Sequence, residues 1–354
     1  MSKLRFAIFG TGFWSRFQLA GWNELDAVEC VAVYNRTRSK AEALASEFGI
    51  AGVYDCPEEL LDRESLDFID IITDADSHGR FVQMVAERRL PVICQKPMAP
   101  SFESGQQMVR TCRQAKVAFL IHENWRWQTP IRSLKKILQD GSIGRPFRAR
   151  IQFCSSFPVF QNQPFLRELN QFILSDIGSH ILDVARFLFG EAENLYCHTE
   201  RINQGIKGED VATVVLKMSG NPTVICEMSY ATRMEHERFP ETFIFVEGEK
   251  GSVELGPDYW IRLTTGSGTH ARRCPPPRYG WADPAYNLVH ASIVPCSANL
   301  LGALQGKARA ETSGEDNLET MRLVFACYES ARSGQSVRIN GEDFEVGFVN
   351  VRTQ

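Results

Sequence analysis

Apolar positions in the first third of the chain fall into short compact runs separated by stretches of helical spacing. The runs are Leu4–Phe9, Cys30–Tyr34, Phe68–Thr73, Val92–Cys94 and Ala118–Ile121. Each is too short for a helix, so each is predicted to be a buried strand. Between them, Phe13–Leu25, Ser39–Phe48, His78–Arg89 and Phe102–Lys116 carry helical periodicity, with Gly49 placed to end the second. Strands alternating with helices of this length predict a doubly wound parallel sheet. The texture changes near residue 123. One more helix is predicted at Pro130–Gln139, opened by Thr129 and Pro130 and ended at Gly141. After it, Phe147–Phe153, Val211–Met218, Thr223–Tyr230, Thr242–Glu247, Ser252–Leu255 and Trp260–Thr264 read as strands. Turn signals at Gly220-Asn221-Pro222 and Gly248–Gly251 separate several of them, which predicts an antiparallel meander. Ala271–Gly280 reads as a proline-stiffened loop. The fold class is α/β, with a nucleotide-binding type of sheet over residues 1–123. An α+β domain with an open, mostly antiparallel sheet is expected over residues 124–354.

Composition narrows the function classes. The chain has 354 residues, 44% hydrophobic and 23% charged, with a formal net charge of −4, which offers no surface for a polyanion such as nucleic acid. No uninterrupted apolar run reaches the length of a membrane span, and MSKLRFAIFGTG leads into a strand rather than a signal peptide. The ten cysteines are scattered, without a CxxC pair or a zinc-like spacing to histidine. They read as core residues of a reducing compartment, so a cytoplasmic location without membrane association is expected.

Three motifs carry chemistry. Gly10-Thr11-Gly12-Phe13-Trp14-Ser15 ends the first strand and opens the first helix, the position at which backbone N–H groups and the positive helix end receive a dinucleotide pyrophosphate. Ser15 stands where the third glycine of that fingerprint is usual. At the end of the second strand, where an acid commonly accepts from the ribose, the chain has Asn35-Arg36-Thr37-Arg38. Two arginines and no carboxylate lean towards NADP, although arginines stacked on adenine are equally compatible with NAD. Lys96 follows the short strand Val92–Cys94 and precedes Pro97, at the carboxyl end of a parallel strand where ligands bind in such sheets. A partly desolvated lysine there can donate to a substrate hydroxyl or alkoxide. Asp176 and His180 lie four residues apart in LSDIGSHILD, on one face of a helix. Asp176 is expected at the helix N-cap, and either Asp176 or Asp183 can partner the imidazole. With a nicotinamide, Lys96, Asp176 and His180 form a proton-handling set for alcohol oxidation, and no metal is needed.

Taken in order, Gly10-Thr11-Gly12, Thr73 with His78, Gln95-Lys96-Pro97, Asp176 to His180 with Asp183, and the closing segment Gly314–Gly334 resemble the glucose–fructose oxidoreductase, inositol dehydrogenase and rhizopine-catabolism family over nearly the whole chain. The resemblance implies a Rossmann domain, a C-terminal sheet used in a homodimer or homotetramer, and NAD(P)-linked oxidation or reduction of a sugar or polyol. It implies that Lys96 is the catalytic lysine, His180 the general acid/base and Asp176 its acidic partner. By the same resemblance the cofactor is held by Gly10, Gly12, Phe13, Trp14, Asn35, Arg36, Arg38, Thr73, His78, Gln95, Lys96 and Asn124. Two departures stand out: Gln95 replaces the usual glutamate, and Asn170–Ser175 replaces a glycine-rich run. Beside Lys96, Asp176 and His180, candidate substrate contacts are Asn124 and Arg126 in HENWRW, and Phe165 and Arg167 in the insert 155–170. Within the family, GFWSRFQLAGW and CQKPMAPSF are similar to branched-pentose enzymes that act on D-apiose with NAD, forming a lactone. Two other readings remain open at this point: a glycosidase that uses bound NAD as a transient oxidant, and a non-catalytic sugar or NAD(P) sensor.

Overall fold

In the computed structural model, which describes residues 3–220 and 222–339, the first sheet forms from apolar runs that have no polar face. It comprises β1 (Leu4–Phe9), β2 (Val28–Tyr34), β3 (Gly52–Tyr54), β4 (Phe68–Ile71), β5 (Val92–Gln95) and β6 (Phe119–His122). All pairs are parallel, in the order β3-β2-β1-β4-β5-β6. The helices between these strands are α1 (Phe13–Asn23), α2 (Arg38–Phe48), α3 (Pro57–Arg63), α4 (Ala75–Glu87) and α5 (Phe102–Ala115). Strand order reverses between β1 and β4, and at that switch point the carboxyl ends of neighbouring strands part to leave a cleft. Gly10 lies there with φ +99, and a Cβ on it would stand 2.6 Å from the Ile72 carbonyl oxygen, so only glycine brings the two strand ends this close.

The second half continues through α6 (Thr129–Gln139), β7 (Pro146–Cys154), the short α7 (Val159–Asn162), α8 (Ser179–Phe189), β8 (Ala192–Glu200), β9 (Val211–Met218) and β10 (Thr223–Ser229). It then adds β11 (Phe243–Gly248), β12 (Gly251–Gly256), β13 (Trp260–Thr265), β14 (Gly268–Arg273), α9 (Asn287–Leu304), α10 (Gly314–Ser333) and β15 (Val337–Arg338). The nine-stranded sheet runs β14-β13-β12-β11-β7-β10-β9-β8-β15. It is not a simple meander. β7 inserts between β10 and β11 and pairs with β10 in parallel, whereas the other pairs are antiparallel. One face packs on α8 and α10, and alternation along β7, β9 and β10 sends the other face outward. Of the turn predicted at Gly220-Asn221-Pro222, Asn221 lies outside the described residues.

Several elements left no readable pattern. β8 carries a register shift between Ala192 and Asn194 that breaks its alternation. β14 is exposed along its whole length, and it claims residues 271–273 from the stretch predicted as loop. α9 is apolar nearly all round and contains Pro295, so it shows no stripe. With the turn before it, Pro284–Leu304 spans 21 residues of mean hydropathy 1.2. By length and composition that segment is apolar enough to cross a bilayer, although Asn287, His290, Ser292, Ser297 and Asn299 interrupt it. In the fold it is a packing helix. Ile293 seats on Gly21 of α1, where an added Cβ would come within 2.4 Å of it, while Cys296, Leu300 and Leu301 join the core beneath β1. α10 sends Met321 into the opposite layer of the first sheet and Leu323 and Val324 into the core of the second. The last two helices thus tie the halves together.

Candidate active site

The turn at Gly10–Ser15 is held by its own serine. The buried Ser15 hydroxyl donates to the Gly10 carbonyl at 2.8 Å, a bond that a third glycine has no side chain to make. At Gly12, which opens α1, no side chain caps the first turn and an added Cβ would meet nothing within 4 Å. Uncapped N–H groups facing open space fit a pyrophosphate. Thr73 closes the cleft from β4, and its hydroxyl accepts from the Ser77 hydroxyl at 2.8 Å. His78 is buried and acts on backbone: its ring nitrogens lie 3.2 Å from the Thr73 carbonyl and 3.1 Å from that of Met98. At the end of β2, Asn35 accepts from the Thr11 N–H at 3.4 Å. Arg36 is exposed, whereas Arg38 pairs with Glu42 at 3.0 Å and approaches Asp55 at 3.9 Å. Phe13 faces outward in part, while Trp14 turns away from the phosphate cradle into an aromatic group with Tyr286 and His290.

Lys96 and His180 approach from opposite halves of the chain. Lys96 Nζ donates to Asp176 Oδ1 at 2.9 Å and to the Asp176 carbonyl at 3.3 Å; the two side chains are 10% and 16% exposed. Asp176 is not an N-cap. Its N–H donates to the Phe172 carbonyl at 2.9 Å, and it lies inside a π-helical turn, Leu174–Gly178, that runs straight into α8. Such wide turns occur at functional sites because the extra residue re-aims a side chain.

Neither Asp176 nor Asp183 partners His180. The imidazole Nδ1 lies 2.6 Å from Glu123 Oε1, and its ring stacks on Trp125 at 4.4 Å. A carboxylate only accepts, so Nδ1 carries the proton and Nε2 holds the lone pair. Nε2 has no hydrogen-bond partner among the described residues. Burial holds His180 below its ordinary pKa, with Lys96 adding to that and Glu123 opposing it, so the ring is neutral at neutral pH. For Glu123, burial is outweighed by the interactions with His180, the Trp125 N–H and Lys96, which keep the carboxyl below its usual value and therefore ionised. Its Oε1 also accepts from the Trp125 N–H at 3.0 Å, and its Oε2 is buried without a hydrogen-bond partner among the described residues. Glu123 was missed because it ends a strand in HENWRW, where nothing in the spacing connects it to a histidine 57 residues away.

Asp183 has a different partner. Arg126 donates to it through Nε at 2.7 Å and Nη2 at 2.5 Å, then reaches Asp316 at 3.2 Å and the Glu311 carbonyl at 3.1 Å. Arg126 is thus a buried clamp that joins the segment after β6 to α8 and the start of α10, and its guanidinium is committed to these partners. The Asn124 amide is likewise directed into packing, donating to the Val289 carbonyl and the Ser292 hydroxyl of α9. Phe165 is 59% exposed, and the Arg167 guanidinium lies over Phe160 at 4.8 Å. The insert instead presents Phe157, stacked on Phe239 at 3.9 Å, and Asn162, which donates to the Tyr286 hydroxyl at 3.1 Å. Tyr230 stacks on Phe172 at 5.7 Å, and Tyr286 is buried against Trp14, Phe239 and His290.

Known proteins fit this geometry. Residues 4–123 match the model of an oxidoreductase family with an NAD-binding Rossmann fold, and residues 131–254 match the C-terminal domain of the same family. A D-apiose dehydrogenase from Paraburkholderia graminis is 38% identical over 98% of this chain and 92% of its own length. A second, from Rhizobium rhizogenes, is 38% identical over 96% and 98%. The crystal structure of an oxidoreductase from Agrobacterium radiobacter, in complex with NAD+, L-tartaric acid and magnesium, superposes with a TM-score of 0.94 at 38% identity, covering 96% of this chain and 99% of that one. The WlbA dehydrogenase of Bordetella pertussis shares the fold alone, with a TM-score of 0.79 at 21% identity over 95% and 98% of the two chains. On this agreement of sequence and fold, the chain belongs to the glucose–fructose oxidoreductase, inositol dehydrogenase and rhizopine-catabolism family of oxidoreductases, with an NAD-binding Rossmann domain.

Proposed function

We propose that this protein is an NAD-linked sugar dehydrogenase that oxidises D-apiose, a branched pentose, to its lactone. The observation that carries the reaction class is the convergence of a cation, Lys96, and a neutral imidazole, His180, whose unpartnered Nε2 is a ready base. The D-apiose dehydrogenases similar over nearly the full chain supply the substrate. His180 Nε2 takes the proton of the sugar hydroxyl while Glu123 stabilises the resulting imidazolium through Nδ1. Lys96, held by Asp176, donates to the sugar oxygen as it gains negative charge. A dinucleotide with its pyrophosphate at Gly10 and Gly12 and its nicotinamide end towards Lys96 would supply the acceptor for the hydride that the sugar carbon releases. The carbon becomes a carbonyl, which at a ring hemiacetal carbon is a lactone. NAD is favoured over NADP because Arg38 is neutralised by Glu42, with Asp55 close by, acids that repel a 2′-phosphate. Lys96 and His180 are both retained and the near-full-length relatives are dehydrogenases, so neither the glycosidase nor the sensor reading is favoured.

We further infer a homo-oligomer in the cytoplasm. Tyr196, Val215 and Phe245 are exposed on the outer face of the second sheet, and all ten cysteines are free. Reduced-nicotinamide absorbance with NAD and NADP separately, against a panel of pentoses, hexoses, inositols and sugar acids, tests the activity. Turnover of D-apiose with NAD is expected, and a protein that turns over inositol but not D-apiose would overturn the substrate.

A further inference from the structure

Asp70, in the middle of β4, is fully buried and has no ion pair among the described residues. A buried acid without a cation is costly unless its oxygens are well satisfied. Here three N–H bonds converge on it. Gln18 Nε2 donates to Oδ1 at 2.9 Å and Oδ2 at 2.8 Å, and Trp22 Nε1 donates to Oδ2 at 2.8 Å. Even so, burial pushes the carboxyl up to about 7. None of the groups in the proposed reaction touches it directly.

The bonds continue beyond Gln18. Its Oε1 accepts from Gln95 Nε2 at 2.7 Å, and Gln95 Oε1 accepts from the backbone N–H of Lys96 at 2.7 Å. The direction of this wire is fixed at both ends. Ionised above a pH of about 7, the Asp70 carboxylate only accepts, so Gln18 turns its amide nitrogen to Asp70 and its oxygen to Gln95. The Lys96 N–H only donates, so Gln95 turns its oxygen to Lys96 and its nitrogen to Gln18. Gln95, the residue that departs from the family's glutamate, is the one that a donor on one side and an acceptor on the other require. A glutamate there would offer Gln18 an acceptor where Gln18 already presents an oxygen.

We propose that Asp70 is a positioning residue for catalysis: acting through Gln18 and Gln95, it sets the polarity of a buried hydrogen-bond wire that holds the Lys96 backbone. The inference rests on Lys96 being the residue that meets the sugar oxygen. Its signature is a reversal of sign. In Gln95→Glu, Gln18 stands between two groups that only accept and satisfies one. Adding Asp70→Asn to that variant lets Gln18 turn round: the new amide nitrogen at position 70 donates to its oxygen, and its own nitrogen donates to the carboxylate introduced at position 95. In the wild type the Trp22 N–H keeps the asparagine oxygen at the Oδ2 position, so the same Asp70→Asn change sets its amide nitrogen against the Gln18 nitrogen at the Oδ1 position.

The test is a double-mutant cycle read by kcat, by KM for sugar and NAD, and by melting temperature. Each single variant is expected to lose about tenfold in kcat, the size of one opposed buried hydrogen bond, and Asp70→Asn to leave KM for NAD unchanged. The double variant is expected to return to within about threefold of wild type and to regain the melting temperature lost in Gln95→Glu. Effects that merely add would overturn the wire, as would Asp70→Asn leaving both backgrounds unaltered. If Asp70→Asn does not fold, Gln95→Met decides: it cuts the wire beside Lys96 while Asp70 keeps its partners, and wild-type kcat would refute the proposal. A protein that oxidises no sugar at all would refute the functional reading instead, and the melting-temperature reversal would still report on the wire.

Discussion

Replacing Glu123 by glutamine separates its charge from its shape. Glutamine keeps an oxygen for the His180 Nδ1–H and the Trp125 N–H, which Glu123 Oε1 now accepts at 2.6 and 3.0 Å. What it removes is the anion that faces the imidazolium as the sugar hydroxyl loses its proton. Two unit charges about 4 Å apart interact by about 4 kcal/mol at an effective dielectric constant of ~20. If the proton is half transferred in the transition state, about 2 kcal/mol is lost, which corresponds to a fall in kcat of roughly thirtyfold. Full transfer sets an upper bound near a thousandfold on the same arithmetic. Glu123 Oε2 has no hydrogen-bond partner among the described residues, so the amide does not break a second bond there, and folding stability should be unchanged or higher. Initial rates by reduced-nicotinamide absorbance, beside a melting curve, make the measurement. A Glu123→Gln enzyme with kcat within twofold of wild type would sink the assignment of Glu123 as the histidine's partner in catalysis.

Lys96→Met should lower kcat by about 10²–10³-fold, the scale for one donor aimed at a developing oxyanion, while NAD still binds in a fluorescence titration. The acid limb of kcat/KM should lie below pH ~6.5, the ordinary histidine value: burial lowers the His180 pKa, and the basic form that activity requires is lost only as pH falls through that lowered value. A limb above 6.5 would count against His180 as the base. Buried His122, pushed down to about 4, binds its proton more weakly folded than unfolded. Stability from this group is complete above pH ~6.5 and declines as pH falls towards about 4, by up to roughly 3 kcal/mol, so His122→Asn should flatten that part of a pH–stability curve. Arg126→Met strands Asp183, which is fully buried, and should lower unfolding free energy by about 3–5 kcal/mol in urea titration.

Much of the first sheet was legible because its strands are short apolar runs closed by turn residues, and such runs have few other places to go. The turn at Gly10–Ser15 was legible for the same local reason: Gly10, Gly12 and Ser15 act within one strand-to-helix turn. In the second half, legibility ended where periodicity did. β8 is interrupted by a bulge, β14 has no buried face, and α9 is apolar on nearly every side, so each lacked the contrast on which a pattern depends. The insertion of β7 between β10 and β11 is a matter of which edges meet, and alternation along a strand does not specify its neighbour.

The sequence by itself determined the class of fold and the place of the first strand-to-helix turn, and it marked Lys96, Asp176 and His180 as candidates. Those depend on local spacing and on motifs in fixed order. Pairing was decided only by tertiary structure. Asp176 went to Lys96, Asp183 to Arg126, and His180 to a glutamate at the end of β6. A buried charge seeks the counter-charge or donor that folding brings within about 3 Å, and that distance is set by the packing of α8 against the strand ends, not by separation along the chain.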